Sequence, residues 1–220
     1  MAETCRRSGN SNEISKFATV QKYILYCKMN TTTIQSEVDK AVKILRQGGL
    51  ILYPTDTVWG IGCDATNAEA VDKVYALKQS ANKKSMIVLV GDIDSVGLYV
   101  NHAPQVAWEL FETAVSPLTL ILPGAARVAD NLVPEEGTLG VRVPNHEFCR
   151  QMLKRFGRPI VSTSANISGE PTPTTFEQID QRIRQGVDMI VDPRFEGKPT
   201  RHASSIIALD AAGGVKIIRE

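Results

Sequence analysis

Apolar residues recur at helical spacing in the first clear segment of the chain. Ile34, Val38, Ala41, Val42 and Leu45 share one face, which predicts a helix from Ser36 to Gln47. Ser36 followed by Asp39 has the form of a capping arrangement, and Gly48-Gly49 stops the helix. The unbroken run Leu50-Ile51-Leu52-Tyr53 reads as a buried strand that ends at Pro54. The alternation then continues. Asn67 heads a helix carrying Ala68, Val71, Val74 and Tyr75, and a strand follows over Met86 to Val90. Pro104 opens another helix with Ala107, Leu110, Phe111 and Ala114 inward. Further strands are expected at Leu118–Leu122, Leu139–Val143, Ile160–Ser162, Met189–Val191, Ser205–Leu209 and Val215–Ile218. Helices around Phe148–Phe156 and Phe176–Ile183 separate some of them.

Strands that are apolar throughout and interleaved with helices indicate a sheet covered on both faces. Several neighbouring strands have no helix between them, so the sheet is mixed. The expected fold is α/β: a single domain with a twisted, mixed open sheet and flanking helices. A chain of 220 residues, 43% of them apolar, can bury one large core. Residues 1–28 read as an N-terminal extension ahead of a domain at 29–220, with Met29 as the expected start.

Composition narrows the function. The formal net charge of +1 supplies no global basic field, which favours a small substrate over a nucleic-acid surface. Cys5, Cys27, Cys63 and Cys149 lack metal-ligand spacing, so reduced thiols in a cytoplasmic protein are expected, with no protein-held metal. No apolar run approaches the ~20 residues of a membrane helix, and none resembles a secretory signal. No GxGxxG, GxSxG or Walker motif is present.

Four polar segments at strand or helix ends are candidates for chemistry. Pro54-Thr55-Asp56-Thr57-Val58-Trp59-Gly60 brings two hydroxyls and a carboxylate to a turn, and a simple strand-capping turn explains it as well as a site does. Lys78-Gln79-Ser80-Ala81-Asn82-Lys83-Lys84 follows a helix; it is either a solvated helix end or a source of positive charge for phosphates. Ser162-Thr163-Ser164-Ala165-Asn166-Ile167-Ser168-Gly169 is dense in neutral donors suited to phosphate or ribose oxygens. Arg142 lies in the otherwise apolar Thr138–Pro144 strand. It must either pair with a structural carboxylate or face a pocket that takes an anion.

In this order, from about residue 34 to 220, the segments resemble the YrdC-like threonylcarbamoyl-AMP synthase family. The likeness is carried by PTDTVWG at 54–60, GVRVP at 140–144, TSANISGEPTPT at 163–174, Ser204-Ser205-Ile206-Ile207 and the closing Ile217-Ile218-Arg219. The resemblance implies an enzyme that joins L-threonine, bicarbonate and ATP into L-threonylcarbamoyladenylate and pyrophosphate. The product is passed to a tRNA threonylcarbamoyl transferase, and Mg²⁺ is held largely by the phosphates. By motif, Lys78, Ser164 and Asn166 are the catalytic set, and Thr55, Arg142 and Ser204 bind threonine. Lys78, Asn82, Thr138, Ser162, Ser164, Asn166 and Arg219 face ATP. Two departures stand out: Ser80 where the family's K-x-R-P has arginine, and Trp59 where tyrosine is common. The end at Glu220 is read as the lack of the extra domain of longer members. A non-catalytic paralogue that binds tRNA or double-stranded RNA is the alternative, favoured by Ser80 and by a patch of Arg150, Lys154, Arg155 and Arg158.

Overall fold

Helix α1 spans 34–46, so Ser36 lies within the helix instead of capping it. The structure is a computed structural model that describes residues 34–80 and 86–220, with Glu37–Glu220 forming one compact unit. The expected extension at 1–28 and the start at Met29 fall outside the described residues. Val38, Ala41, Val42 and Leu45 are buried as the helical spacing predicts. The helix ends because Gly48 adopts φ +70°, a conformation that costs glycine little.

The strands are β1 (Ile51–Tyr53), β2 (Gly60–Gly62), β3 (Ile87–Leu89), β4 (Leu118–Pro123), β5 (Thr138–Arg142), β6 (Ile160–Ser164), β7 (Met189–Ile190), β8 (Ser205–Leu209) and β9 (Val215–Arg219). They form one open nine-stranded sheet in the order β7-β1-β2-β6-β3-β5-β4-β8-β9. Three pairs are parallel (β1 with β7, β3 with β5, β4 with β8) and the other five antiparallel, so the sheet is mixed. The α/β, single-domain expectation holds. The strand not anticipated is β2: Gly-Ile-Gly carries little strand propensity, and the sheet supplies the pairing that propensity lacks.

The remaining helices are α2 (Ala68–Leu77), α3 (Val106–Thr113), α4 (Glu147–Phe156) and α5 (Gln181–Gln185). Asn67 caps α2, its side chain accepting from the Ala70 N–H. Ala68 and Ala114, expected inward, are exposed; Ala114 lies just past the end of α3. The helix expected over Phe176–Ile183 divides into a 3-10 turn at Phe176–Gln178 and α5, because Asp180 starts a new helix by accepting from the Arg182 N–H.

Successive strand residues face opposite sides of the sheet. Leu120, Leu122, Leu139, Val141, Val88 and Ile61 enter a core shared with α2 and α3. Thr119 and Arg142, one position away, therefore point to the opposite face. Ser162, Ser164, Ser204 and Ile206 share that face, and the candidate cavity lies over it.

Candidate active site

A cavity of about 170 Å³ opens over the middle strands, lined by hydroxyl groups, apolar floor residues such as Ile87 and Ile206, and two arginines, Arg142 and Arg219. No carboxylate lines it among the described residues. Such a cavity suits an anionic ligand that also needs many neutral hydrogen-bond partners.

One wall is the turn after β1. The Thr55 hydroxyl donates to the Val58 carbonyl (2.8 Å), accepts from the Thr57 N–H (3.0 Å) and lies 2.8 Å from the Thr57 hydroxyl. Since its only proton goes to Val58, it must also accept from Thr57. Thr57 in turn accepts from Arg142 Nη1 at 2.9 Å. Arg142 Nη2 pairs with Asp56 Oδ1, and the other Asp56 oxygen accepts from the Asn145 N–H at 3.1 Å. Both readings of Arg142 are thus met: it has a structural carboxylate and it faces the cavity. Its Nε, buried, has no protein partner. The Thr55 hydroxyl is saturated, so it has no hydrogen bond left for the threonine contact expected of it.

This turn is held from outside by the segment after β7. Thr200 and Arg201 N–H groups donate to the carbonyls of Asp56 and Thr57, each at 2.9 Å, and Trp59 Nε1 donates to Glu196 Oε1 at 2.8 Å. Trp59 packs on Phe176 with ring centroids 4.9 Å apart, keeping an aromatic wall. His146 is buried; Nε2 meets the Glu196 carbonyl at 3.1 Å and Nδ1 has no partner. Burial holds its pKa below the ordinary value, against the opposing pull of that carbonyl.

The second wall is the end of β6. Ser162 accepts from the buried Tyr53 hydroxyl at 2.9 Å. Ser164 donates to Asn166 Oδ1 at 2.5 Å, while Asn166 Nδ2 donates to the carbonyls of Ile167 (3.0 Å) and Glu170 (2.7 Å). Asn166 therefore acts on the cavity through Ser164. Lys78, at the C-terminal end of α2, is buried and is not among the cavity-lining residues. Its ammonium donates to the Ser164 and Asn166 carbonyls, both at 2.6 Å, and so grips the back of this loop. Burial lowers its pKa to about 8.

The third wall is β8–β9. Ser204 lies 2.7 Å from Thr119, hydroxyl to hydroxyl, and Arg219 donates through Nε (3.0 Å) and Nη2 (2.7 Å) to the Ser204 carbonyl. The structure thus gathers Thr55, Arg142, Ser162, Ser164, Ser204 and Arg219 around one space, with Asn166 and Lys78 immediately behind it. Thr138 stands apart. It begins β5 opposite Pro123, whereas Arg142 ends the strand opposite Thr119, a separation of roughly 13 Å along the strand. Asn82, with Lys83 and Lys84, lies outside the described residues. Thr57, Thr119 and Tyr53 were not anticipated as site residues. The signal for Thr119 was a single hydroxyl inside the apolar run Leu118–Leu122, parallel to the signal that marked Arg142.

Other candidates resolve plainly. The basic patch is largely paired: Arg150 with Glu147 (3.1 Å), Arg155 with Asp39 (3.2 Å) and Arg158 with the buried Asp64 (2.9 Å). Cys63 and Cys149 are buried free thiols whose pKa burial pushes up, while Cys5 and Cys27 lie outside the described residues. Among the described residues no helix is long and apolar enough to cross a membrane, and no cluster of three metal-ligand side chains occurs.

Known proteins resemble this chain in sequence and in fold. The Sua5/YciO/YrdC family, described as telomere recombination, matches residues 43–220. Threonylcarbamoyl-AMP synthase of Pseudoalteromonas translucida (strain TAC 125) is 32% identical over 166 residues, 74% of this chain and 89% of that protein. Sua5 of P. abyssi, solved in complex with L-threonine, superposes with a TM-score of 0.72 at 28% identity over 78% of this chain, which spans 50% of that protein. E. coli YciO superposes with a TM-score of 0.72 at 26% identity, covering 84% of this chain and 89% of that one.

Proposed function

The chain belongs to the Sua5/YciO/YrdC family, and on that premise we propose that it is a threonylcarbamoyl-AMP synthase. The observation that carries this reading is the carboxylate-free cavity in which Arg142, fixed on Asp56 and Thr57, keeps a buried Nε without a partner. Arg142 and Arg219 line a space that holds no carboxylate among the described residues, so a substrate carboxylate is the complementary anion, which favours an amino acid on this side. Ser204 and Thr119 meet the same ligand. Ser162, Ser164 and Arg219 face the nucleotide, and Lys78 sets the carbonyls of the loop that bears Ser164.

In this reading the threonine amine and bicarbonate combine to a carbamate with loss of water. A carbamate oxygen then attacks the α-phosphorus of ATP, and the bond to the β-phosphate oxygen breaks to release pyrophosphate. Catalysis of this kind rests on positioning and on neutralising phosphate charge. A divalent cation would come with the ATP phosphates, whose oxygens would hold it and whose charge it would offset. The adenylate is passed to a tRNA threonylcarbamoyl transferase for N6-threonylcarbamoyladenosine formation, a cytoplasmic role.

The RNA-binding paralogue without turnover is kept as a second reading on one observation, Ser80 in place of the family's arginine. Pyrophosphate release from ATP and Mg²⁺, with threonine and bicarbonate omitted in turn, separates the two. Release that requires both is expected. No release from folded protein that binds tRNA in a salt-sensitive way favours the second reading.

A further inference from the structure

Tyr53 sits at the end of β1, yet its hydroxyl bonds to Ser162 of β6, with β2 between them in the sheet. The ring can cross β2 only because Gly62 carries no side chain. A Cβ at Gly62 would meet Tyr53 Cε1 at 2.7 Å, closer than real side chains approach, and one at Gly60 would meet it at 3.6 Å and the Ser162 Oγ at 3.5 Å. Gly62 thus leaves the gap for the phenol, and a side chain at Gly60 would only touch it. Tyr53 is fully buried, and Ser162 is the partner found for its hydroxyl. A buried O–H must be given to an acceptor, so Ser162 Oγ accepts it. Burial also raises the Tyr53 pKa far above its ordinary value, so the phenol keeps its proton at any working pH. With one lone pair taken from behind, the Ser162 hydroxyl has its own proton left for the cavity it lines.

We propose that Tyr53, reaching across Gly60 and Gly62, is a positioning residue that orients Ser162 as a hydrogen-bond donor to an anionic oxygen of the bound substrate. This deepens the synthase reading and rests on it for the identity of the substrate. The chemistry required is an anionic oxygen, which either the amino-acid carboxylate or a phosphate supplies.

The test is a double-mutant cycle on the full chain with Tyr53→Phe, Ser162→Ala and the double variant. Calorimetry reads the affinity for L-threonine and, separately, for inorganic pyrophosphate, and turnover is read as kcat and KM. Urea midpoints check that each variant is folded. Tyr53→Phe keeps the ring in its channel and is expected to weaken one of the two ligands roughly fivefold, the worth of one ordinary hydrogen bond. Ser162→Ala is expected to weaken the same ligand by at least as much, and the double variant no further than Ser162→Ala alone. The ligand that shows the coupling names the oxygen. Additive losses, or Tyr53→Phe with unchanged affinity for both ligands, overturn the proposal. A wild-type protein with no turnover but intact coupling in the binding cycle defeats the synthase reading and leaves the positioning role standing.

Discussion

Two walls of the cavity are built from the same residue types and use them in opposite ways. After β1, the Thr55 hydroxyl has its proton on Val58 and accepts from both the N–H and the hydroxyl of Thr57. Nothing is left for a ligand; the turn is a mount for Arg142. At the end of β6 each serine is engaged on one side only. Ser162 accepts from Tyr53 and retains its proton, whereas Ser164 gives its proton to Asn166 and retains its lone pairs. The first wall is rigid support and the second is recognition. What separates them is the count of donors and acceptors already engaged, which composition does not reveal.

Breaking the first wall at its centre has the largest expected effect. Arg142→Ala leaves Asp56 buried without its cation and should cost about 3–5 kcal/mol of stability along with activity, measured by urea denaturation and pyrophosphate release. Breaking the support of the second wall should act on chemistry more than on folding. Lys78→Met is expected to lower turnover about 100-fold, because it releases the loop that carries Ser164 and a misplacement of about 1 Å in a positioning group costs that much. Because its pKa lies near 8, Lys78 is protonated below that pH and neutral above it. Turnover should therefore fall as pH rises past about 8, and Lys78→Arg, whatever its absolute rate, should lose that descending limb.

A paired experiment sharpens the contrast. Thr55→Val strands the buried Thr57 N–H and should lose about 1–3 kcal/mol, with binding affected only through folding. Ser164→Ala should change stability by less than about 1 kcal/mol while lowering kcat/KM roughly tenfold. Similar profiles for the two variants would erase the distinction drawn between the walls. The smallest effect concerns the segment that braces the first wall. The folded-state pKa of His146 lies below its ordinary 6.5, so the unfolded chain takes up a proton first as pH falls. Stability should be level above about pH 6.5 and decline below it, and His146→Gln should flatten that decline.

Much of this was legible in the chain. The strands other than β2, α2 with its Asn67 cap and the stop at Gly48 followed from apolar periodicity and turn chemistry, because both are local. A lone arginine inside an apolar strand marked Arg142, since a buried polar group demands a partner wherever it sits, and the same signal at Thr119 went unread. Strand order was not legible. Only the sheet order β1-β2-β6 brings Tyr53 to Ser162, 109 positions away, and turns the glycine at 62 into the gap that lets the ring through. Likewise, Lys78 has the sequence of a solvated helix end, and tertiary packing buries it against the carbonyls of Ser164 and Asn166. Local propensity and pattern determined which segments would be strands, helices and polar turns. Which hydroxyls remain open to a ligand was decided by long-range packing, because a hydrogen-bonding group is committed by its neighbours in space and not by those in sequence.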